Sequence, residues 1–471
     1  MTDAATAPRP IPNRMRRGAV ASPTLVAMTE GTGRGGAQTP KARRLYARGR
    51  EGRAKILATT LELVEERGYE GATIAELARR TELPASSIYW HFANKDELVA
   101  AALLDSFEKR VDRSRPWPEA PDARPLREQL AEALLALAEE GTGADYNRVG
   151  LVVALPRTTA AVAAKQAFLY GREYALDQFL HWWRIVLTDL GMAAGPRLET
   201  ASEVMGRVTI GVLDGRFLAN QDVPLHPAEN LVLADLLVGM AHYVVAGAAL
   251  PEGEPLAMTP EGLRYPDPSA LTGADRLVAA AIGTICDYGV PGTTVAKVCA
   301  RAELPASSLY WHFKDLDALI EQALATSFAA WEDDVEARAR IQPTDPASAL
   351  LRGFSSMRHQ PTAFLIGYGL LLRREDSAAR RRFSAIRAHV LSVRFAWFRT
   401  WLAEELPEVA QADRDALGDV LSRVTLLTSD GIFLVEALMP RWPLARAGEF
   451  LGAGLREAAE HWVAAAPATG A

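Results

Sequence analysis

Glu82-Leu83-Pro84-Ala85-Ser86-Ser87-Ile88-Tyr89-Trp90-His91-Phe92 occurs twice in this chain. It returns as Glu303-Leu304-Pro305-Ala306-Ser307-Ser308-Leu309-Tyr310-Trp311-His312-Phe313, changed only where Ile88 becomes Leu309. The separation, 303 − 82 = 221 residues, far exceeds the roughly 20–50 residues of a solenoid repeat, so it marks a tandem copy of a whole multidomain unit. A length of 471 residues, too long for one hydrophobic core, agrees with that division.

Upstream of the first copy, Ile56, Leu57, Thr60, Leu61 and Val64 recur at three- and four-residue spacing, the pattern of a helix with one buried face. Gly68 is placed to end it through a left-handed cap. Thr73 then opens a short helix, with Glu76 at the third helical position as in a capping box. Pro84 sets the earliest start of the next helix, and Asn94 with Glu97 caps a fourth. The second copy aligns without a gap from Asp275 to Leu319: Leu277, Val278, Ala281, Ile282 and Ile285 repeat the buried face, Gly289 repeats Gly68, and Thr294 repeats Thr73.

Three short helices carrying Ser86-Ser87-Ile88-Tyr89-Trp90-His91-Phe92 and then Asn94-Lys95-Asp96-Glu97-Leu98 resemble the DNA-binding domain of the tetracycline-repressor (TetR) family over about Arg53 to Leu98. One departure is the turn before the third helix, where the family often has Gly and this chain has Glu82 and Glu303. The resemblance implies an all-α fold: two helix-turn-helix modules, each followed by a helical ligand-sensing and dimerising domain, so that one chain forms a pseudodimer. Expected boundaries are a disordered basic arm over 1–50, modules over 51–98 and 269–319, regulatory domains over 99–250 and 320–466, and a Pro- and Gly-rich linker over 251–268. The arm's basic residues, Arg14, Arg16, Arg17, Lys41, Arg43, Arg44, Arg48 and Arg50, suit either DNA phosphates and a minor groove or an unselected leader.

A recognition helix needs one face to hold it on its module and another to meet base edges. Ile88 and Phe92 face inward with Leu83, which leaves Ala85, Ser86, Ser87 and Trp90, and in the second copy Ala306, Ser307, Ser308 and Trp311, toward the groove. The family resemblance assigns Tyr89, His91 and Lys95, and likewise Tyr310 and His312, to phosphates, and the helix start at Thr73 or Thr294 suits an anion. Singly, each of these residues has an ordinary packing role; as a spaced set occurring twice they point to DNA. The copies differ at the periphery: Lys95 becomes Leu316, Ala93 becomes Lys314 and Glu76 becomes Lys297. Lys297 opposes the helix macrodipole, a cost that a nearby phosphate would offset; it suits either a replacement phosphate contact or a tolerated surface lysine.

The regulatory stretches correspond faintly. Arg207-Val208-Thr209, Asp214-Gly215 and Phe217-Leu218 return as Arg423-Val424-Thr425, Asp430-Gly431 and Phe433-Leu434, at a spacing of 423 − 207 = 216. Aromatic stripes include Phe168, Phe179, Trp182 and Trp183 in the first half, and Phe364, Tyr368, Trp397 and Trp401 in the second. They suit a core more than a pocket; if a pocket is present, the family resemblance implies a small, mostly apolar effector.

Composition limits the alternatives. A chain that is 49% hydrophobic and 23% charged is ordinary globular material, and a net charge of −6 confines any DNA surface to local patches. Two cysteines make no disulfide framework and no cleavable apolar leader is evident, so a cytoplasmic location is expected. The apolar run from Leu231 to Leu250 is interrupted by Asp235 and His242 and suits a buried helix better than a membrane span. No P-loop, dinucleotide fingerprint, zinc spacing or serine elbow occurs, so neither catalysis, a cofactor nor a metal is expected. The expected function is a ligand-responsive repressor of double-stranded operator DNA. The alternatives are a ligand-independent regulator or activator, or a small-molecule-binding or enzymatic helical protein with vestigial modules.

Overall fold

The computed structural model describes residues 40–113, 117–139, 146–157, 159–222, 228–250, 267–339, 357, 361–441 and 448–465. Residues 1–39 of the expected arm and 251–266 of the expected linker lie outside the described residues. All regular structure among the described residues is helical. In the first repeat the helices are α1 (Pro40–Gly71), α2 (Ile74–Thr81), α3 (Ala85–His91), α4 (Lys95–Arg113), α5 (Leu126–Glu139), α6 (Tyr146–Ala154), α7 (Val162–Asp189), α8 (Pro196–Ala219) and α9 (Glu229–Val245). The second repeat has α10 (Gly273–Gly292), α11 (Val295–Ala302), α12 (Ala306–His312), α13 (Leu316–Ala339), α14 (Pro361–Leu371), α15 (Ala378–Glu405), α16 (Gln411–Leu438) and α17 (Gly448–Ala465).

Two compact units divide the chain, and their border does not follow the border between repeats. The first comprises Met1–Arg115, Thr142–Tyr174 and Asp287–Thr293. In it α1 starts at Pro40, so the final part of the segment expected to be a disordered arm is helical. Its apolar stripe, Ile56, Leu57, Leu61 and Val64, is buried where α1 packs on α4 and α6. Gly68 kinks the helix at φ 69°, a left-handed conformation that favours glycine, and a Cβ there would lie 2.8 Å from that of Pro291. Phe107, Tyr146, Phe168 and Tyr174 assemble an aromatic core, Phe107 and Tyr174 meeting edge to face at 5.5 Å.

The second unit comprises Pro116–Gly141, Ala175–Cys286 and Thr294–Ala471. At its centre α8 packs on α16, and α9 on α17. The contacts between α8 and α16 are reciprocal. A Cβ on Gly215 would fall 1.7 Å from the Leu427 carbonyl oxygen, and one on Gly431 would fall 1.6 Å from that of Gly211. Since 431 − 215 and 427 − 211 both equal 216, the same two positions meet twice with the repeats exchanged. Only glycine permits this backbone approach.

The apolar run around α9 is interior rather than membrane-facing. Val232, Leu233, Leu236, Leu237 and Met240 are buried in protein, and no described helix is long and apolar enough to cross a membrane. Asp235, also buried, is held by Arg127 of α5 at 2.5 and 3.0 Å and by His461 Nδ1 of α17 at 2.8 Å. A buried carboxylate is tolerable only with such partners. Cys286 and Cys299 are buried free thiols.

Candidate nucleic-acid interface

The geometry of each module follows from its caps. Thr73 has extended backbone and its Oγ1 accepts the Glu76 N–H at 3.2 Å; Thr294 does the same for Lys297 at 3.3 Å. The second half of the expected box is absent, because the Glu76 carboxylate turns outward to accept from Arg79 at 2.8 and 2.7 Å and from Arg80 at 3.2 Å. Those hydrogen bonds, Arg79's foremost, hold the Glu76 carboxyl down at about 2. Lys297 stands in its place in the second copy. Asn94 Oδ1 accepts the Glu97 N–H at 2.9 Å, and Glu97 Oε2 accepts the Ala93 N–H at 3.2 Å, closing a reciprocal cap at the start of α4.

Between α2 and α3 the chain turns on Glu82 at φ 57°, and between α11 and α12 on Glu303 at φ 54°; these are the two non-glycine residues of positive φ among those described. At the second turn the Leu304 N–H donates to Cys299 O at 3.0 Å and the Glu303 N–H to Ala300 O at 3.2 Å, the paired bonds of a Schellman closure. The glycine-type backbone is therefore kept although the glycine is not.

Proline at the N-cap starts both recognition helices at Ala85 and Ala306. Ile88 and Leu309 are completely buried and Phe92 nearly so, which fixes the orientation of each helix on its module. Ala85 and Ser86 are exposed and Ser87 half-buried; Ala306, Ser307 and Ser308 repeat that pattern. The aromatic pair behind them faces solvent in both copies: Tyr89 is 55% and Trp90 56% exposed, Tyr310 60% and Trp311 85%. Large aromatics are left this open at the same two positions of each module.

Trp90 and His91 meet edge to face at 4.6 Å. Burial, helped by the neighbouring positive charge of Arg53, holds the His91 imidazole below its usual range, which favours the neutral hydrogen-bonding ring. Its counterpart His312 is exposed, as is Lys314. Lys95 is half-buried and has an internal role: its Nζ donates to the Tyr69 carbonyl at 3.1 Å and sits 4.2 Å from the centre of the Tyr69 ring. The second copy replaces both partners, with Leu316 and Val290.

One functional pair was missed in the sequence. In the first turn of α4, Asp96 accepts the Ala163 and Ala164 N–H groups at 2.7 and 3.0 Å, capping the start of α7. The Tyr69 hydroxyl donates to Ala160 O, one turn earlier, at 2.7 Å. In the second unit Asp317 likewise accepts the Ala378 N–H at 2.9 Å, at the start of α15. Each module thereby caps the N-terminus of a long helix by a carboxylate, where the macrodipole favours negative charge. The available signal was Lys95-Asp96-Glu97-Leu98 against Leu316-Asp317-Ala318-Leu319, where the acid persists while both its neighbours change.

The aromatic residues proposed for an effector lie in packed clusters. Phe168 is buried in the first unit. In the second unit Trp117 meets Phe179 and Trp182 edge to face, and the Trp183 Nε1–H donates to Thr209 Oγ1 at 3.0 Å. Phe364 and Tyr368 pack with Phe383 and Phe433, while Trp397 stacks on Trp401. The Tyr368 hydroxyl donates to Asp430 Oδ1 at 2.8 Å.

Comparison with known proteins agrees with this geometry. The model of the family described as bacterial regulatory proteins, tetR family, matches residues 56–102 and again 277–323. An uncharacterized HTH-type transcriptional regulator of Pseudomonas putida, TtgW, is 26% identical over 121 residues, covering 23% of this chain and 90% of that protein. The HTH-type transcriptional regulator TtgR of the same species is 36% identical over 80 residues, covering 17% of this chain and 38% of TtgR. IcaR of Staphylococcus epidermidis, described as a biofilm operon icaADBC HTH-type negative transcriptional regulator, is 28% identical over 58 residues, covering 12% of this chain and 31% of IcaR. With one module matched at each end of the 221-residue spacing, the chain carries the DNA-binding domain of the tetR family of bacterial regulatory proteins twice in tandem.

Proposed function

We propose that this chain is a transcriptional repressor that binds a near-palindromic operator as an intramolecular pseudodimer, and that a small effector in its regulatory helices releases it. The observation that carries this reading is the matched surface of α3 and α12: the same Ala-Ser-Ser start and the same exposed Tyr-Trp pair on two modules of one chain. Identical readers call for near-identical half-sites, spaced by about one turn of DNA, roughly 34 Å, as for helix-turn-helix dimers. The reciprocal packing of α8 on α16 supports the pseudodimer, since the same positions meet twice with the repeats exchanged. Linkage in one chain replaces concentration-dependent dimerisation by a high effective concentration. Repression rather than activation is supported by IcaR, a negative regulator. Asp96 and Asp317 give the regulatory helices α7 and α15 a direct hold on the modules, the mechanical link that release requires.

The test is a mobility shift on DNA upstream of the chain's own gene, titrated with salt. One chain per operator is expected, with affinity that falls steeply as salt rises. A second chain in the complex at every concentration would refute the pseudodimer. Loss of salt dependence would refute DNA binding through phosphates.

A further inference from the structure

Within the second unit, α15 and α16 enclose a charged cluster that the DNA-binding role leaves unexplained. Arg387, fully inside, donates from Nη1 to Asp430 Oδ2 at 2.5 Å and from Nε to Asp222 Oδ2 at 3.1 Å. Asp430 also accepts from the Tyr368 hydroxyl. Arg394, two turns further along α15, reaches Ser429 Oγ at a long 3.4 Å.

The hydrogen bonding is incomplete in a specific way. Asp222 touches the Nε/Nη2 edge of Arg387 through one oxygen, while its Oδ1 and the Arg387 Nη2 are both shut off from solvent without a partner. A carboxylate well seated on that edge makes two parallel bonds. Arg394 Nη1 is likewise buried and unpartnered. Burial acts against both signs of charge here, pushing the Asp222 carboxyl up and Arg394 down to about 10.

Register against the first repeat shows what is special to this half. Phe168 and Arg172 of α7 match Phe383 and Arg387 of α15 at a spacing of 215, and each arginine lies over its phenylalanine, at 5.6 and 5.9 Å. The same spacing pairs Arg394 with Phe179, and the spacing of 216 used by α8 and α16 pairs Asp222 with Leu438. The second guanidinium and the acid facing the first are therefore present on one side only.

We propose that the second regulatory domain binds a small aromatic carboxylate, which takes the place of Asp222 on the Nε/Nη2 edge of Arg387 and engages Arg394 Nη1. The rings of Tyr368, Phe383 and Phe433, with Tyr368 and Phe433 5.5 Å apart, supply the apolar surroundings for the aromatic body. Asp222 is the resident anion that the ligand displaces. It is delivered by the segment leaving α8, where the neighbouring Gln221 carbonyl accepts from Arg380 Nη2 at 2.6 Å, so displacement loosens the first repeat from the second. This rests on the ligand-responsive reading above and narrows it to one half and one charge class.

The experiment uses the full chain and two probes of equal shape, benzoate and the uncharged benzamide, with binding followed by calorimetry. One benzoate per chain is expected, at least tenfold tighter than benzamide. Arg394→Met, with an unchanged helical spectrum, should weaken benzoate at least tenfold, and Asp222→Asn should tighten it by removing the competing charge. Equal affinity for the two probes, no benzoate binding, or affinity untouched by both substitutions would overturn the proposal. The same preparation is assayed for operator binding by mobility shift. A chain that shifts DNA but ignores benzoate refutes the carboxylate site alone, whereas one that binds benzoate but no DNA refutes the regulator reading alone.

Discussion

Glu82 and Glu303 hold a left-handed backbone that their side chains disfavour, and replacing them by glycine should make the helix-turn-helix firmer. Their φ and ψ, 57° and 26° at Glu82 and 54° and 40° at Glu303, lie in the region where a Cβ crowds the following carbonyl, at a cost of roughly 1–2 kcal/mol. Glycine removes that strain but gains freedom in the unfolded chain, which returns about 0.4–1 kcal/mol. The net gain for Glu82→Gly is about 0.5–1 kcal/mol, or about two- to fivefold in the local opening constant. Glu303→Gly should gain less, because Glu303 also accepts from Arg276 at 3.1 Å, an exposed pair worth about 0–1 kcal/mol. A melting temperature is a poor readout for a chain of several domains. Native-state hydrogen exchange of the α2 and α3 amides measures the local term directly. Glu82→Ala is the control, since alanine keeps the Cβ and hence the strain. If alanine protects as well as glycine, or if glycine lowers protection, the assigned strain is wrong.

Four further outcomes follow from the geometry. Gly431→Ala places a methyl 1.6 Å from the Gly211 carbonyl oxygen, so it should weaken the α8/α16 packing by about 3 kcal/mol or more, read as loss of exchange protection in both helices. Asp96→Ala removes two charge-assisted bonds to the start of α7 and should cost about 1.5–3 kcal/mol there, seen as faster exchange at Ala163 and Ala164. His91 has a folded pKa held below its ordinary 6.5 by burial and then Arg53. Its contribution to stability is therefore complete above the ordinary value and lost as pH falls through the depressed one; His91→Gln should flatten that part of an acid titration of the module. Lys297→Ala should weaken binding to all DNA sequences alike and lower the salt slope by about one unit, measured by mobility shift.

Local chemistry was legible in the sequence wherever a short stretch determines it. The repeated 11-residue motif, the caps at Thr73 and Thr294, the proline starts and the inward Ile88 and Leu309 all follow from residue type and spacing. Long-range partners were not legible. Glu76 looked like half of a capping box, but Arg79 and Arg80 are stronger partners than a backbone amide. Lys95 looked like a phosphate ligand, yet the Tyr69 carbonyl and ring occupy it, a contact 26 residues away that periodicity does not encode. Residues 40–50 belong to a stretch whose composition is too polar to order by itself, and they continue as helix from the amphipathic segment that follows. Asp222 gave no signal at all, because its meaning depends on Arg387, 165 residues later.

The reciprocal contact of Gly215 with Leu427 and of Gly431 with Gly211 has an evolutionary consequence. In a dimer of identical chains a substitution appears on both sides at once, so every interface position must suit two surroundings. Here position 211 is glycine while its counterpart 427 is leucine, and Asp222 faces the second repeat while its counterpart is Leu438. Once the halves shared a gene, each mutation was tested in one setting only. Specialisation of one repeat thereby became reachable by single steps that leave the other repeat intact.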